Sequence, residues 1–366
     1  MEWLAALFLV LAAGPSLLGA LLWCASVRPP GAGGQRGRVT LVLPMKPPAA
    51  DLPGLLRALD RQSLTPRRLI ISVQSADHAP EIPALSYPCQ VVVAGLAEGR
   101  GQKSHNLLAG LEHLDAEDEA VVFLDADIHP QDWWLEMLAG PILRGERDLV
   151  GGFRWSVPTA PHPQAQIVSW LDRGWALPAR FPWLNLAWGG SIAFTPRHLE
   201  TIRRALGTGL LDDLVIAKRA REDGLRRLIR GALLVPSPLE GPGALAFFAR
   251  QHRLVRFYRP DVWVLLALHS HVVVLAWIML WGSAWLALPL AMLAARGWAQ
   301  DVAARRVGVT DPPLTRIWQG LLSALPIADA VNLWCIWHSA FGRRLTWRGI
   351  TYEVALDGSS RIVARQ

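Results

Sequence analysis

The distribution of apolar residues predicts a membrane helix at the start of the chain. Trp3 to Val27 is a run of 25 residues without a charge, and as a helix it would be about 38 Å long, enough to cross a bilayer with some tilt. Only Met1-Glu2 precedes it, so the basic region of a secretory signal is lacking. We therefore predict a transmembrane anchor at 1–28. This run is followed by Arg28, Arg36 and Arg38. Because basic residues favour the cytoplasmic side, we expect the next segment to lie in the cytoplasm.

A second apolar run extends from Val262 to Ala295, with 34 residues and no acidic or basic side chain. One helix of that length would measure about 51 Å, which is too long for a hydrocarbon core of about 30 Å. Two short helices broken near the helix-weak Gly282-Ser283 fit better. We therefore expect a transmembrane hairpin at 261–298, which returns the following arginines to the cytoplasmic side.

A third apolar segment, Leu314 to Phe341, contains Arg316, Pro326 and Asp329. These residues favour a helix lying in the membrane interface at 314–341. A third carboxyl-terminal span is the alternative. With an interfacial helix we expect a cytoplasmic tail at 342–366, whereas a further span would place this tail on the opposite side of the membrane.

Between the first two apolar regions, short apolar runs alternate with amphipathic segments. This alternation predicts an α/β domain with a doubly wound sheet at 39–260. No G-x-G-x-x-G or Walker loop is present, which argues against a dinucleotide enzyme and a P-loop NTPase. The predicted strands are 39–44, 69–73, 90–94, 120–124 and 148–155, with a short one after Trp188, and the predicted helices are 51–62, 102–114 and 164–179.

The run Ala120–Leu124 leads directly into Asp125-Ala126-Asp127. A short apolar run without alternation is typical of a strand buried on both faces, and its carboxyl end is where open α/β sheets bind ligands. Two carboxylates one residue apart suit a hard divalent cation that also holds a diphosphate. A loop that uses Asp for turn geometry explains the same residues. The tripeptide alone leaves both interpretations open.

Three further polar patches carry candidate chemistry. Asp212 and Asp213 begin an amphipathic helix, whose dipole stabilises anions, although ordinary capping explains them as well. Arg253 and Arg256 lie three residues apart on a helix before the membrane hairpin, where they could equally face the membrane surface. Lys103 opens a helix 22 residues before Asp125.

Composition narrows the range of partners. The chain of 366 residues carries a net charge of +7, and 52% of its residues are hydrophobic. Because no basic cluster is interleaved with aromatic residues, the charge indicates a membrane surface and no nucleic acid. Three widely spaced cysteines give no disulfide framework. Of the 37 basic side chains only three are lysines, Lys46, Lys103 and Lys218.

These patches, in this order, resemble the membrane-bound family-2 glycosyltransferases, and most closely their ceramide glucosyltransferase-like branch. The resemblance covers roughly residues 40 to 355 and includes all three lysines. Its motifs are LPMKP at 43–47, VQSAD ending at Asp77, GQKSHNL, the DAD tripeptide, WGGSIAF, DDLVIAKR, RLVRF and TWRGITYEV. It implies a GT-A-like (Rossmann-like, mixed-sheet) catalytic domain.

The resemblance also implies roles for individual residues. Asp77 and Asp125 would contact the nucleoside of the donor, and Asp127 would hold Mg²⁺ or Mn²⁺ on the diphosphate. Asp213 would be the general base. Lys103, Arg253 and Arg256 would bind the donor diphosphate, with Phe257 and Asp212 on the acceptor side. Phe257 replaces the tryptophan of the family signature, Asp212 replaces a commoner glutamate, and VQSAD matches its motif loosely.

We therefore expect an inverting enzyme that transfers one hexose from a nucleotide sugar, such as a UDP-sugar, to a membrane lipid hydroxyl such as that of ceramide. Its expected partners are the sugar donor, the lipid and the membrane, with the catalytic domain on the cytoplasmic face of a bacterial inner membrane. A processive polysaccharide synthase and an inactive membrane scaffold with the same fold are the alternatives.

Overall fold

The computed structural model describes residues 2–28, 34–47, 51–175, 184, 188–323, 325–355 and 358–365. These form two compact units. The first contains residues 1–29, 155–178 and 238–342, and the second contains 30–154, 179–237 and 343–366. Residues 29–37 have the Gly- and Pro-rich composition of a linker, and 29–33 of them lie outside the described residues.

The helices are α1 Glu2–Ser26, α2 Leu52–Asp60, α3 Gln102–Leu111, α4 Trp134–Leu143, α5 Pro163–Arg173, α6 Leu199–Thr208, α7 Asp212–Glu222, α8 Ala244–Tyr258, α9 Pro260–Leu280, α10 Ala287–Arg306, α11 Pro313–Ser323 and α12 Ile327–Ala340. The strands are β1 Val39–Met45, β2 Arg68–Val73, β3 Cys89–Val93, β4 Ala120–Leu124, β5 Leu149–Pro158, β6 Ser191–Phe194, β7 Arg227–Leu239, β8 Arg344–Trp347, β9 Ile350–Val354 and β10 Ser360–Arg365.

The second unit is built on a seven-stranded mixed sheet in the order β3-β2-β1-β4-β6-β5-β7. Strands β3, β2, β1 and β4 run parallel to one another, whereas β6 runs antiparallel to β4 and β5. Parallel strands end at the same edge of a sheet, so β2, β1 and β4 deliver the residues that follow them to that edge. The expected α/β fold class, with a mixed sheet and an amino-terminal apolar helix, is confirmed.

Helices cover both faces of this sheet because its central strands are apolar on both sides. Along β4, Val122 and Leu124 pack in the core under α2 and α4, while Val121 and Phe123 pack in the core under α3, α6 and α7. All four side chains are fully buried. Because β4 ends at Leu124, Asp125 is the first residue beyond the strand.

The first unit is helical. The apolar face of α1 packs against α9 in a cluster that includes Leu9, Val273 and Trp277. Among the described residues, α1 and α9 are long and apolar enough to cross a membrane by length and composition. The pair α11 and α12, bent by 83°, would add a third span if it were one broken helix.

The predicted hairpin at 261–298 corresponds to α9 and α10, with the break at Gly282, whose φ is +82°. Helix α10 continues to Arg306 and carries Arg296 and Asp301, which keeps it out of the set of apolar spans. A second membrane crossing here stays a prediction. Helix α5 ends at Arg173, and the predicted continuation at 176–179 lies outside the described residues.

Candidate active site

Four polar side chains converge beyond the carboxyl end of β4. Lys103, from the first turn of α3, places its Nζ 2.6 Å from Oδ1 of Asp125 and 3.0 Å from Oδ2 of Asp212. Asp213 follows Asp212 in the first turn of α7. The structure thus brings together side chains from three separate sequence motifs.

This cluster is largely shielded from water. The Asp212 side chain is 2% exposed and that of Lys103 is 15% exposed. Burial alone would lower the pKa of Lys103, but the charges of Asp125, Asp212 and Asp213 outweigh it and raise that pKa. Lys103 is therefore a permanent cation that holds two carboxylates in place.

Asp213 is held by two backbone hydrogen bonds, and its surroundings raise its pKa. Its Oδ1 accepts a hydrogen bond from the Leu214 backbone N at 2.7 Å, and its Oδ2 accepts one from the Gly189 N at 3.2 Å. Burial, followed by the charge of Asp212, raises the pKa of Asp213 to about 7, while Lys103 and the backbone bonds oppose the shift. A carboxylate with a pKa near neutrality can accept a proton during turnover.

Gly189 is required by close packing. A Cβ at this position would lie 2.4 Å from Oδ2 of Asp212 and 2.8 Å from Nζ of Lys103. The WGG motif therefore supplies both the space for the ion pair and a backbone N–H for Asp213. The sequence of the motif alone does not indicate these two roles of Gly189.

Asp127 completes the acidic side of the site. Burial, followed by the charge of Asp125, raises the pKa of Asp127, and Arg348, Lys103 and Arg154 counteract the rise. A divalent cation would relieve the same repulsion, so the two carboxylates fit Mg²⁺ or Mn²⁺. Among the described residues no group of three or more His, Cys, Asp or Glu forms a metal cage. Such a cation would need further oxygen ligands from water or from a bound diphosphate.

The sequence profile of glycosyl transferase family 21 matches residues 83–360, which include all of these residues. This chain belongs to glycosyl transferase family 21. The expected resemblance to glycosyltransferases is confirmed at the level of this family. No curated protein matches the chain.

Two solved structures are similar to this family 21 chain. One is a mannosyltransferase from Pyrobaculum calidifontis in complex with GDP-Man and Mn²⁺, with 17% identity, a TM-score of 0.44, and coverage of 91% of this chain and 99% of the other. The second is glucosyl-3-phosphoglycerate synthase from Mycobacterium tuberculosis in complex with Mn²⁺ and UDP-Glc, with 16% identity, a TM-score of 0.35, and coverage of 61% and 73%.

Asp77 lies in a short 3₁₀ turn, Ala76–His78, after β2. The residue is exposed. Because β2 is parallel to β1, and β1 to β4, this turn follows the same edge of the sheet as Asp125. Its contact with a nucleoside stays a prediction.

The arginines of the family signature belong to the first unit, on α8. Arg253 Nη2 donates to the His338 carbonyl at 2.9 Å, and Arg256 donates to the carbonyls of Ala340 and Gly342. The Arg256 guanidinium also lies 4.8 Å from the centre of the buried Phe257 ring. These bonds satisfy carbonyls at the end of α12. The roles of Arg253, Arg256 and Phe257 in binding donor and acceptor stay predictions.

Proposed function

We propose that this family 21 protein is an inverting glycosyltransferase that moves a single hexose from a nucleotide-diphosphate sugar, such as a UDP-sugar, to a membrane lipid hydroxyl such as that of ceramide. The observation that carries the proposal is Asp213. Its pKa of about 7 and its place beside Lys103, Asp125 and Asp212 suit a base at the point of transfer.

In the proposed reaction the acceptor hydroxyl attacks the anomeric carbon as the bond to the diphosphate oxygen breaks. Asp213 takes the hydroxyl proton, and the diphosphate leaves with the bonding electrons. One displacement from the opposite face inverts the anomeric carbon. The backbone bonds from Gly189 and Leu214 fix the direction in which the Asp213 carboxylate accepts the proton.

The leaving group needs positive charge around it. A divalent cation held by Asp127 would neutralise part of the diphosphate when bound. Lys103 adds a fixed cation whose orientation is set by Asp125 and Asp212. We assign Asp77 and Asp125 to the nucleoside.

From the family resemblance we assign Asp212 and Phe257 to the acceptor, and Arg253 and Arg256 to the donor diphosphate. A lipid acceptor is supported by α1 and α9, which have the length and composition of membrane spans. A polar donor from the cytosol and an acceptor from the bilayer can meet only at the membrane surface. We therefore propose that the catalytic domain lies on the cytoplasmic face.

The proposal is tested by incubating the purified full chain with radiolabelled UDP-hexose, Mn²⁺ and a total lipid extract. We expect one organic-soluble product that does not lengthen with time, formed on the order of 10²- to 10⁴-fold more slowly by Asp213→Asn. A ladder of products, or aqueous label digested by a polysaccharide hydrolase, would indicate a processive synthase. Folded protein that transfers no sugar from any donor tested would indicate an inactive scaffold.

A further inference from the structure

The TWRGITYEV motif forms a β-hairpin of β8 and β9, in which Trp347 pairs with Ile350. The two turn residues, Arg348 and Gly349, have φ values of +47° and +75°. Two consecutive positive φ values are the pattern of a type I′ turn, where Asn-Gly is strongly favoured. Among the described residues Arg348 is the one non-glycine residue with positive φ. An arginine in this position is disfavoured by its backbone, and such strain is typical of functional positions.

Hydrogen bonds hold the tip of this hairpin beside the predicted donor site. Lys46 Nζ donates to the Arg348 carbonyl at 2.6 Å, and Arg348 Nη1 donates to the Lys46 carbonyl at 2.9 Å. Lys46 directly follows β1, at the edge where β4 delivers Asp127. The strand behind the tip is also anchored, because the hydroxyl of the buried Tyr352 accepts a bond from the Gln102 N at the start of α3.

The tip carries two neighbouring positive charges, those of Lys46 and Arg348. Within the described residues neither Lys46 nor Arg348 forms an ion pair with a carboxylate, and their mutual hydrogen bonds use backbone oxygens. Burial, followed by the charge of Arg348, lowers the pKa of Lys46. Two neighbouring cations repel each other, and a bound anion would remove this repulsion.

Val42 of β1 pairs with Phe123 of β4, and Lys46 and Asp127 each lie four residues beyond this pair, so the tip bound to Lys46 lies next to the DAD loop. It therefore lies at the place where a cation and a diphosphate are expected. A planar guanidinium matches the oxygens of a phosphate group with two parallel hydrogen bonds. The chemistry of the tip thus indicates a phosphorylated ligand.

We propose that Arg348, supported by Lys46, binds the diphosphate of the nucleotide sugar donor and holds it against the DAD loop. This inference rests on the proposed function and adds two residues to it. As the anomeric carbon separates from the diphosphate oxygen, that oxygen gains negative charge, which Arg348 would stabilise. The carboxyl-terminal β8–β9 hairpin would thereby contact the bound donor.

A substitution in the turn can separate ligand binding by Arg348 from the stability of the turn. Arg348→Asn converts the turn to Asn-Gly, the sequence that a type I′ turn favours, so the hairpin should be as stable as in the wild type or more so. Arg348→Lys keeps the positive charge, but lysine lacks the planar guanidinium. Like arginine, lysine is also disfavoured at a positive φ. Arg361→Asn is the matched control, because Arg361 lies on β10 of the same three-stranded sheet and its side chain is 73% exposed.

Calorimetry with UDP and GDP in the presence of Mn²⁺ would measure binding, and thermal unfolding would measure stability. For Arg348→Asn we expect the dissociation constant for the diphosphate to rise roughly 10- to 100-fold, as for the loss of hydrogen bonds to a charged group, without a lower Tm. Arg348→Lys should bind better than Arg348→Asn, and Arg361→Asn should bind as the wild type does.

A purely structural turn predicts the opposite order, since asparagine suits the backbone better than lysine. Arg348→Asn binding as well as Arg348→Lys, or as well as the wild type, would therefore overturn the inference. The proposed function would stand in that case if the wild type still transferred hexose. A wild type that binds neither UDP nor GDP and transfers no sugar would overturn both.

Discussion

Replacing Lys103 by methionine should destabilise the second unit strongly. The ammonium contacts Asp125 at 2.6 Å and Asp212 at 3.0 Å, and Asp212 is 2% exposed in its side chain. Lys103→Met leaves a buried carboxylate without its cation. Breaking a fully buried pair costs about 3–5 kcal/mol. Because Lys103 is 15% exposed and Asp125 is 26% exposed, we expect the lower limit, about 3 kcal/mol.

Thermal unfolding of the detergent-purified chain would measure this loss. For a unit of about 200 residues, 3 kcal/mol corresponds to a fall in Tm of roughly 6–12 °C. Lys218→Met is the matched control, because Lys218 is exposed on α7, and it should leave Tm unchanged within about 2 °C.

A double variant tests the cause of the loss. Adding Asp212→Leu to Lys103→Met replaces a charged pair by apolar side chains, which is often close to neutral. We therefore expect the double variant to recover most of the lost Tm. If Lys103→Met unfolds at the wild-type temperature, or if the double variant is no more stable than the single one, the ion pair does not hold the site together.

Three further predictions concern the chemistry. Asp213→Asn should keep donor affinity while the transfer rate falls on the order of 10²- to 10⁴-fold. In the wild type, kcat/KM should rise with pH through about 7, because Asp213 must be deprotonated to accept a proton. A kcat/KM that does not change with pH would mean that another residue is the base, with Asp212 as the next candidate. Asp127→Ala should abolish the Mn²⁺-dependent part of UDP-sugar binding in calorimetry, and undiminished affinity would refute its metal role. Gly189→Ala should lower both Tm and transfer, because the added Cβ meets Asp212 and Lys103, and wild-type values for both would contradict the close packing.

The parts of the fold that depend on local pattern were predictable from the sequence. The uninterrupted apolar run at 120–124 gives β4 directly, and therefore gives the position of Asp125 and Asp127 at its end. By contrast, β7 was not predicted, because Arg227, Arg230, Gly231 and two prolines interrupt its apolar pattern. Its pairing in the sheet, rather than its composition, makes it a strand.

The candidate site was predictable residue by residue but not as a geometry. The pairing of Lys103 with Asp212 joins the starts of α3 and α7, and no local pattern specifies such a contact. Arg348 was missed as a site residue because its hydrogen bonds to Lys46 span 302 positions of the chain. The signal was present in the sequence, since an arginine before glycine in a tight hairpin is unusual, and only the fold shows what it approaches.

The proposed transfer of one hexose to a membrane lipid can be observed directly in cells. The most direct measurement is mass spectrometry of total lipids from cells that produce the wild-type chain, the Asp213→Asn variant or neither. We expect a new lipid, heavier by a single hexose residue, in the wild-type cells, far less of it in the Asp213→Asn cells and none in cells without the chain. Identical lipids in all three samples, or the new lipid in the Asp213→Asn cells at wild-type amounts, would contradict it.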